Sequence, residues 1–190
     1  MIIGIHGFKQ SGKDTLADLM VEEFGFKKVA FADKLKNALH LLFNVPKQNL
    51  WGSDEDKMKL TEVKWTSLNN INRENRQDST YLSVRELMQI FATEVCRTSI
   101  PGIWYEYLDI NEQENIVVSD VRFDNEAEFL KSKNAYVIKV KRKCATSTAH
   151  ESEKGITDDL MDKIFENNGT LDEFLEKSRA ELKTWIQTLK

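Results

Sequence analysis

The chain has 190 residues, 41% hydrophobic and 31% charged, a balance that excludes a wholly disordered chain and allows one domain with a sizeable core. Its 27 basic and 31 acidic residues leave a net charge of −4, which argues against a protein devoted to coating nucleic acid, and no apolar run reaches the ~20 residues needed to cross a bilayer. Cys96 and Cys144 have no metal-type or redox-type spacing, and the opening MIIGIHG has no basic region before its apolar run, so a reduced, cytoplasmic protein without a secretory signal is expected.

Ile2 to His6 reads as a short strand running into a glycine-rich turn. A helix is expected from about Gly12 to Phe24, with Leu16, Leu19, Met20 and Phe24 at helical spacing. Val29 to Ala32 reads as a second strand. Asp33 then reads as the N-cap of a helix carrying Leu35, Ala38, Leu39 and Leu42, with Pro46 beyond its end. Residues 47 to 80 are polar, with scattered large apolar side chains and no clean period.

Ser83 to Glu86 forms a capping box opening a helix with Val84, Leu87, Met88, Phe91 and Val95 on one face. Trp104, Tyr105 and Leu108 predict a short helix after the Pro101-Gly102 turn. Ile116 to Ser119 is a third strand, Asp124 to Lys131 a helix, and Ala135 to Val140 a fourth strand. A polar stretch leads to about Gly155, Ile164 to Glu166 gives a short fifth strand, and Thr170 to Glu173 caps a C-terminal helix. Strands alternating with helices predict one α/β domain, with a parallel sheet covered on both faces and a ligand at the strands' carboxyl ends.

Three of the 8 glycines fall in the first dozen residues, where GFKQSGKDT (Gly7 to Thr15) has the form G-x-x-x-x-G-K between an apolar strand and an apolar-faced helix. Backbone N–H groups converge on phosphate oxygens only where side chains stay out of the way, and the helix N-terminus adds partial positive charge. Lys13 can then reach the β- and γ-phosphates of a nucleotide. Asp14 stands where Ser or Thr usually follows the lysine. It is a hard oxygen ligand for Mg²⁺ or, alternatively, a carboxylate favourably set against the helix dipole. Thr15 is placed to bond the α-phosphate.

No N-K-x-D base-reading motif is present. The strand IVVSD ends in Asp120 followed by Val121, without the glutamate that activates water in ATP-driven motors. Transfer to an acceptor is therefore favoured over hydrolysis.

GFKQSGKDT, AFADKLK (Ala30 to Lys36), SVRELMQIFATEVCR (Ser83 to Arg97) and SDVRFDNEAE (Ser119 to Glu128) together resemble the deoxynucleoside monophosphate kinases of tailed bacteriophages. HESE at His150 to Glu153 and NNGTLDEF at Asn167 to Phe174 extend the resemblance. It implies a three-layer P-loop kinase fold with a parallel sheet of about five strands, a substrate-binding helical insertion over about 34–110 and a lid over about 141–155, all within one domain, 1–190. It also implies transfer of the γ-phosphoryl of ATP to a deoxynucleoside monophosphate with Mg²⁺, small-molecule nucleotides as the only partners apart from a homodimer, and a host-cytoplasmic location if the chain is phage-encoded. Another small-molecule P-loop kinase, such as a dephospho-coenzyme A kinase, or a non-catalytic ATP-binding module, stays open.

On the donor side the resemblance implies Gly7, Lys9, Ser11, Gly12, Lys13, Asp14 and Thr15, with Asn168, Gly169 and Thr170 as an adenine-side loop or simply a helix cap. Arg142, in the run KVKRK, is expected to close over the phosphates and exclude water. On the acceptor side it implies Asp33, Lys34, Arg85, Gln89, Glu94, Arg97, Asp120, Arg122 and Glu126. Asp14, Asp33 and Asp120 are the metal candidates, and Lys13, Arg122 and Arg142 the catalytic cations. The acceptor phosphate is a dianion best held by arginine forks. Arg85 and Arg97 are twelve residues apart, which on an α-helix puts them about 120° apart. His6 is expected to pack at the sheet end, and Trp51, Trp65 and Trp104 are core residues unless one stacks on the acceptor base.

Overall fold

The computed structural model describes residues 1–68, 80–108, 110, 111, 113–143 and 155–189. Cys144, the HESE run and most of the expected lid lie outside them. In chain order the elements are β1 (Ile2–His6), α1 (Lys13–Phe24), β2 (Lys27–Val29), α2 (Ala32–Phe43), α3 (Lys47–Trp51), α4 (Asp54–Met58), β3 (Leu60–Lys64), β4 (Tyr81–Ser83), α5 (Val84–Gln89), a π-helix (Ile90–Arg97), β5 (Ile116–Val121), α6 (Asp124–Ser132), β6 (Tyr136–Lys141), β7 (Lys163–Glu166) and α7 (Leu171–Thr188). The chain divides into two compact units, Met1–Phe31 with Leu108–Lys190, and Ala32–Tyr107.

The first unit holds a five-stranded sheet in the order β2-β5-β1-β6-β7, with every pair parallel. Alternation along β1 explains its layers. Ile3 and Ile5 are fully buried in one cluster with Leu16 and Met20 of α1 and Phe174 and Leu182 of α7. Gly4 faces the other way, where a Cβ would lie 2.6 Å from Leu130 Cδ1 of α6 and 3.0 Å from Val121 Cγ2, so any larger residue would force those side chains to shift. Each buried aliphatic side chain contributes about 1.5–3 kcal/mol of transfer free energy. His6 is buried at the end of β1, where its Nδ1 donates to the Val121 carbonyl at 3.0 Å.

The second unit packs Leu35 and Leu39 of α2, Leu50 of α3, and Leu82, Val84 and Leu87 around β4 and α5 into its own buried set. Ser83 caps α5 as expected: its Oγ accepts from Glu86 N at 3.2 Å, and the Glu86 carboxylate accepts from Ser83 N at 2.8 Å.

Several boundaries differ from expectation. The second strand covers Lys27–Val29, because its pairing with β5 runs from Lys27↔Ile116 to Val29↔Val118. Helix α2 starts at Ala32, so Asp33 stands in its first turn and is not its N-cap. The third strand continues to Val121. Residues 101–107 form hydrogen-bonded turns, with Tyr105 N and Glu106 N both on Gly102 O, where a short helix was expected. The aperiodic stretch contains α3, α4 and β3, the last paired antiparallel with β4 in a separate two-stranded sheet. The helix from Ser83 changes to π geometry at Ile90, which leaves Val95 exposed.

Candidate active site

The turn between β1 and α1 has the geometry of a phosphate cradle. Gln10 and Gly12 have positive φ (62° and 99°), Ser11 N–H closes the turn on Phe8 O at 3.1 Å, and Leu16 N–H begins the helix on Gly12 O at 3.0 Å. Successive left-handed and right-handed residues make consecutive amides converge, which suits an anion. Ser11 is buried, and its Oγ has no hydrogen-bond partner among the described residues.

A cleft of about 340 Å³ opens beside this turn, lined by Gln10, Gly12, Lys13, Asp14, Thr15, Arg142, Asn167, Gly169 and Leu171. Expected donor-side residues from three parts of the chain meet here: Gly12, Lys13, Asp14 and Thr15 at the start of α1, Arg142 from the end of β6, and Gly169 from the loop before α7. Lys9 is exposed on the turn and does not line the cleft. Asn168 and Thr170 do not line it either. Asn168 Oδ1 accepts from Lys143 N at 3.0 Å, and Thr170 Oγ1 accepts from Glu173 N at 3.3 Å as the cap of α7. Their local roles are those of a loop tie and a cap.

Three residues of the lining were not foreseen: Gln10, Asn167 and Leu171. Asn167 is the most informative. It is buried, and its Nδ2 donates to Ser11 O at 2.8 Å. The signal present in the sequence was the NNG run itself, in which Asn167 directly precedes the expected Asn168 and Gly169.

Electrostatics at the mouth of the helix centre on Asp14. The Lys13 ammonium lies 2.7 Å from its carboxylate, and Lys28 of β2 lies 4.0 Å away while pairing with Asp18 at 2.8 Å. Desolvation raises the Asp14 carboxyl, but Lys13, Lys28 and the Arg122 guanidinium together outweigh it and hold Asp14 below the ordinary carboxylate value. Asp14 is therefore an anion throughout the neutral range. Its carboxylate is a hard oxygen donor lining the cleft beside the turn, which fits a divalent cation completing its shell with other oxygens and water. Among the described residues no three His, Cys, Asp or Glu side chains converge on one metal position.

Asp120, one residue before the end of β5, has one carboxylate oxygen accepting from Phe31 N at 2.7 Å, so it fixes the chain after β2. Glu126, buried at the start of α6, accepts from Arg122 N at 2.8 Å and Phe123 N at 3.2 Å. It orients the turn that carries Arg122.

In the second unit, Asp33 accepts from Trp51 Nε1 at 3.1 Å and stands 3.7 Å from Lys36, whose ammonium covers the Trp51 ring at 5.3 Å. Trp104 is buried, with its Nε1 on Ala92 O. Lys34 donates to Tyr107 O, and Arg85 pairs with Asp54. The π-helix changes the angular relation of the expected acceptor residues. Wider turns take about one extra residue, which turns everything beyond them back by roughly 100°. Arg85 and Arg97 thereby go from about 120° apart to within ~20° of one face. Gln89 stays on that face at i+4, and Glu94 follows Gln89 at the π spacing of five.

A family model described as deoxynucleotide monophosphate kinase matches residues 1–76 and 47–178. The chain is 30% identical over 192 residues to a protein of Acanthamoeba polyphaga mimivirus bearing the name deoxynucleotide monophosphate kinase, covering 92% of each. It is 23% identical over 212 residues to the deoxynucleoside-5′-monophosphate kinase of Escherichia phage T5, covering 82% of this chain and 85% of that one. Among solved structures, its fold is similar to shikimate kinase from Aquifex aeolicus (TM-score 0.50, 14% identity, 96% of each chain) and to dephospho-CoA kinase from Campylobacter jejuni (TM-score 0.51, 11% identity, 100% of this chain and 98% of that one). A parallel sheet with a glycine turn between its first strand and first helix, matched along nearly the whole chain by one family, leads to a single assignment: the chain belongs to the deoxynucleotide monophosphate kinases, a family of phosphotransferases.

Proposed function

We propose that the chain transfers the γ-phosphoryl group of ATP to the phosphate of a deoxynucleoside monophosphate, giving the deoxynucleoside diphosphate and ADP. The observation that carries this reading is the cleft in which Lys13, Arg142 and the Gly12 turn meet. Phosphoryl transfer asks the protein for in-line positioning and for positive charge around the moving group.

The cradle amides hold the β- and γ-phosphates, Lys13 leaves Asp14 to meet them, and Arg142 approaches from the end of β6. Arg142 both neutralises charge and keeps water from competing with the acceptor. Mg²⁺, with Asp14 as a direct or water-bridged ligand, would supply further neutralisation of the phosphate oxygens, and Thr15 bonds the α-phosphate. Of the cations expected on the acceptor side, Arg122 is backed by Glu126 in the first unit, and Arg85 and Arg97 belong to the second. No strong base is needed, because that phosphate is already ionised at neutral pH.

An assay of ADP release with ATP, Mg²⁺ and a panel of dAMP, dGMP, dCMP, dTMP and 5-substituted dCMP tests the proposal. ADP formed in step with consumption of at least one acceptor is expected. Release of no ADP with any of them would overturn it.

A further inference from the structure

We propose that Asn167 is a positioning residue for the nucleotide donor, setting the direction of an amide in the phosphate cradle from the far end of the chain. This rests on the reading of the Gly7–Thr15 turn as the ATP site. A cradle works only if its N–H groups point at the ligand, and the carbonyls of the same peptides must then find donors elsewhere. The Ser11 carbonyl finds its donor in Asn167 Nδ2, at 2.8 Å and 156 residues away in sequence. A trans peptide is planar, so a bond that fixes the Ser11 C=O also fixes the Gly12 N–H in the opposite direction.

The close packing of the two residues supports the assignment. A Cβ at Gly12 would lie 2.4 Å from Asn167 Nδ2, so the second glycine of the turn is required by Asn167 as well as by its φ of 99°. The carboxamide is buried, and a buried polar group is costly unless bonded. Asn167 is also tied to the segment that carries Arg142: its own N–H donates to Lys141 O at 2.8 Å, and Asn168 Oδ1 accepts from Lys143 N at 3.0 Å. The loop before α7 therefore holds both the cradle and the Arg142 segment, and all three line one cleft. A carbonyl can only accept, so the partner must be a donor. Aspartate has the same shape and cannot donate when ionised.

The test compares Asn167→Asp and Asn167→Ala with wild type. The readouts are calorimetric affinity for a non-hydrolysable ATP analogue, KM for ATP and for the deoxynucleoside monophosphate, and the thermal midpoint. The expected result is a loss of analogue affinity of about tenfold or more in Asn167→Asp, smaller in Asn167→Ala, with KM for ATP rising and KM for the acceptor unchanged. Unchanged analogue affinity in a folded variant overturns the proposal. So does a parallel rise of both KM values, which marks general loosening. If Asn167→Asp does not fold, Asn167→Ala decides alone. Should wild type phosphorylate no deoxynucleoside monophosphate, the reaction assignment falls while analogue binding still decides the role of Asn167.

Discussion

The ammonium of Lys13 lies 2.7 Å from the carboxylate of Asp14, its neighbour in the chain, at the first turn of α1. Their side chains differ in exposure, 16% for Lys13 and 63% for Asp14, so the lysine is held against the loop by a partner that faces solvent. The pair keeps the cation satisfied until phosphate oxygens compete for it. Such a partly exposed pair adds little to stability. Lys13→Ala should therefore lower kcat by roughly 100- to 1,000-fold, the scale for one lost charge-stabilising donor, with a thermal midpoint near wild type. Parallel kinetics and thermal melts check this, and a normal kcat removes Lys13 from the mechanism.

Asp14→Asn separates the two roles open to that carboxylate. As a metal ligand it should leave the variant needing more Mg²⁺ for half-maximal activity, because a neutral amide oxygen binds a hard cation more weakly. A Mg²⁺ titration that superimposes on wild type would mean that Asp14 serves only the helix dipole and Lys13.

The π-helix predicts a division of labour between substrates. With Arg85 and Arg97 on one face, Arg97→Lys removes a planar fork while keeping the charge. KM for the deoxynucleoside monophosphate should rise about ten- to hundredfold, the range for one charge-assisted hydrogen bond, with KM for ATP unchanged. A shift in KM for ATP of the same size would take Arg97 off the acceptor side.

These features were not equally legible in the sequence. The turn between β1 and α1 was, because glycine is conformationally costly, and Gly7 and Gly12 between an apolar strand and Lys13 mark a backbone that leaves the ordinary regions. Four of the five parallel strands were, because each carries a short apolar run between helical patterns; β2, with Lys27 and Lys28 exposed, was expected two residues too late. The π segment was not: a search at 3.6 residues per turn finds Val84, Leu87 and Phe91 and then carries the wrong phase to Val95 and Arg97. Strand β3 was hidden because only one face of it is even half-buried, alternating exposed and intermediate from Leu60 to Lys64, and its partner lies across a long connection. Asn167 was missed for a different reason. Its partner is a backbone carbonyl 156 residues away, which the NNG run beside it gives no means to identify.

Asp56 in α4 gives the second unit a pH-dependent contribution to stability. The Lys59 ammonium bonded to it, together with the backbone N–H and hydroxyl of Ser53, holds its carboxyl down to about 2 from an ordinary 3.8. A carboxyl depressed on folding contributes stability that is complete above its unfolded value and is lost as pH falls through the folded one. Wild type and Asp56→Asn should therefore differ in denaturant midpoint above pH 4 and converge as pH approaches 2. Midpoints that stay parallel across that window would show that the Ser53–Asp56–Lys59 arrangement does not form in solution.

The most direct test is a crystal structure with a bisubstrate analogue, adenosine and a deoxynucleoside joined through a polyphosphate. The phosphates on the adenosine side should seat in the turn from Gly7 to Thr15, with Lys13 and Arg142 on their oxygens. A complex in which that turn is empty and the analogue lies elsewhere would contradict it.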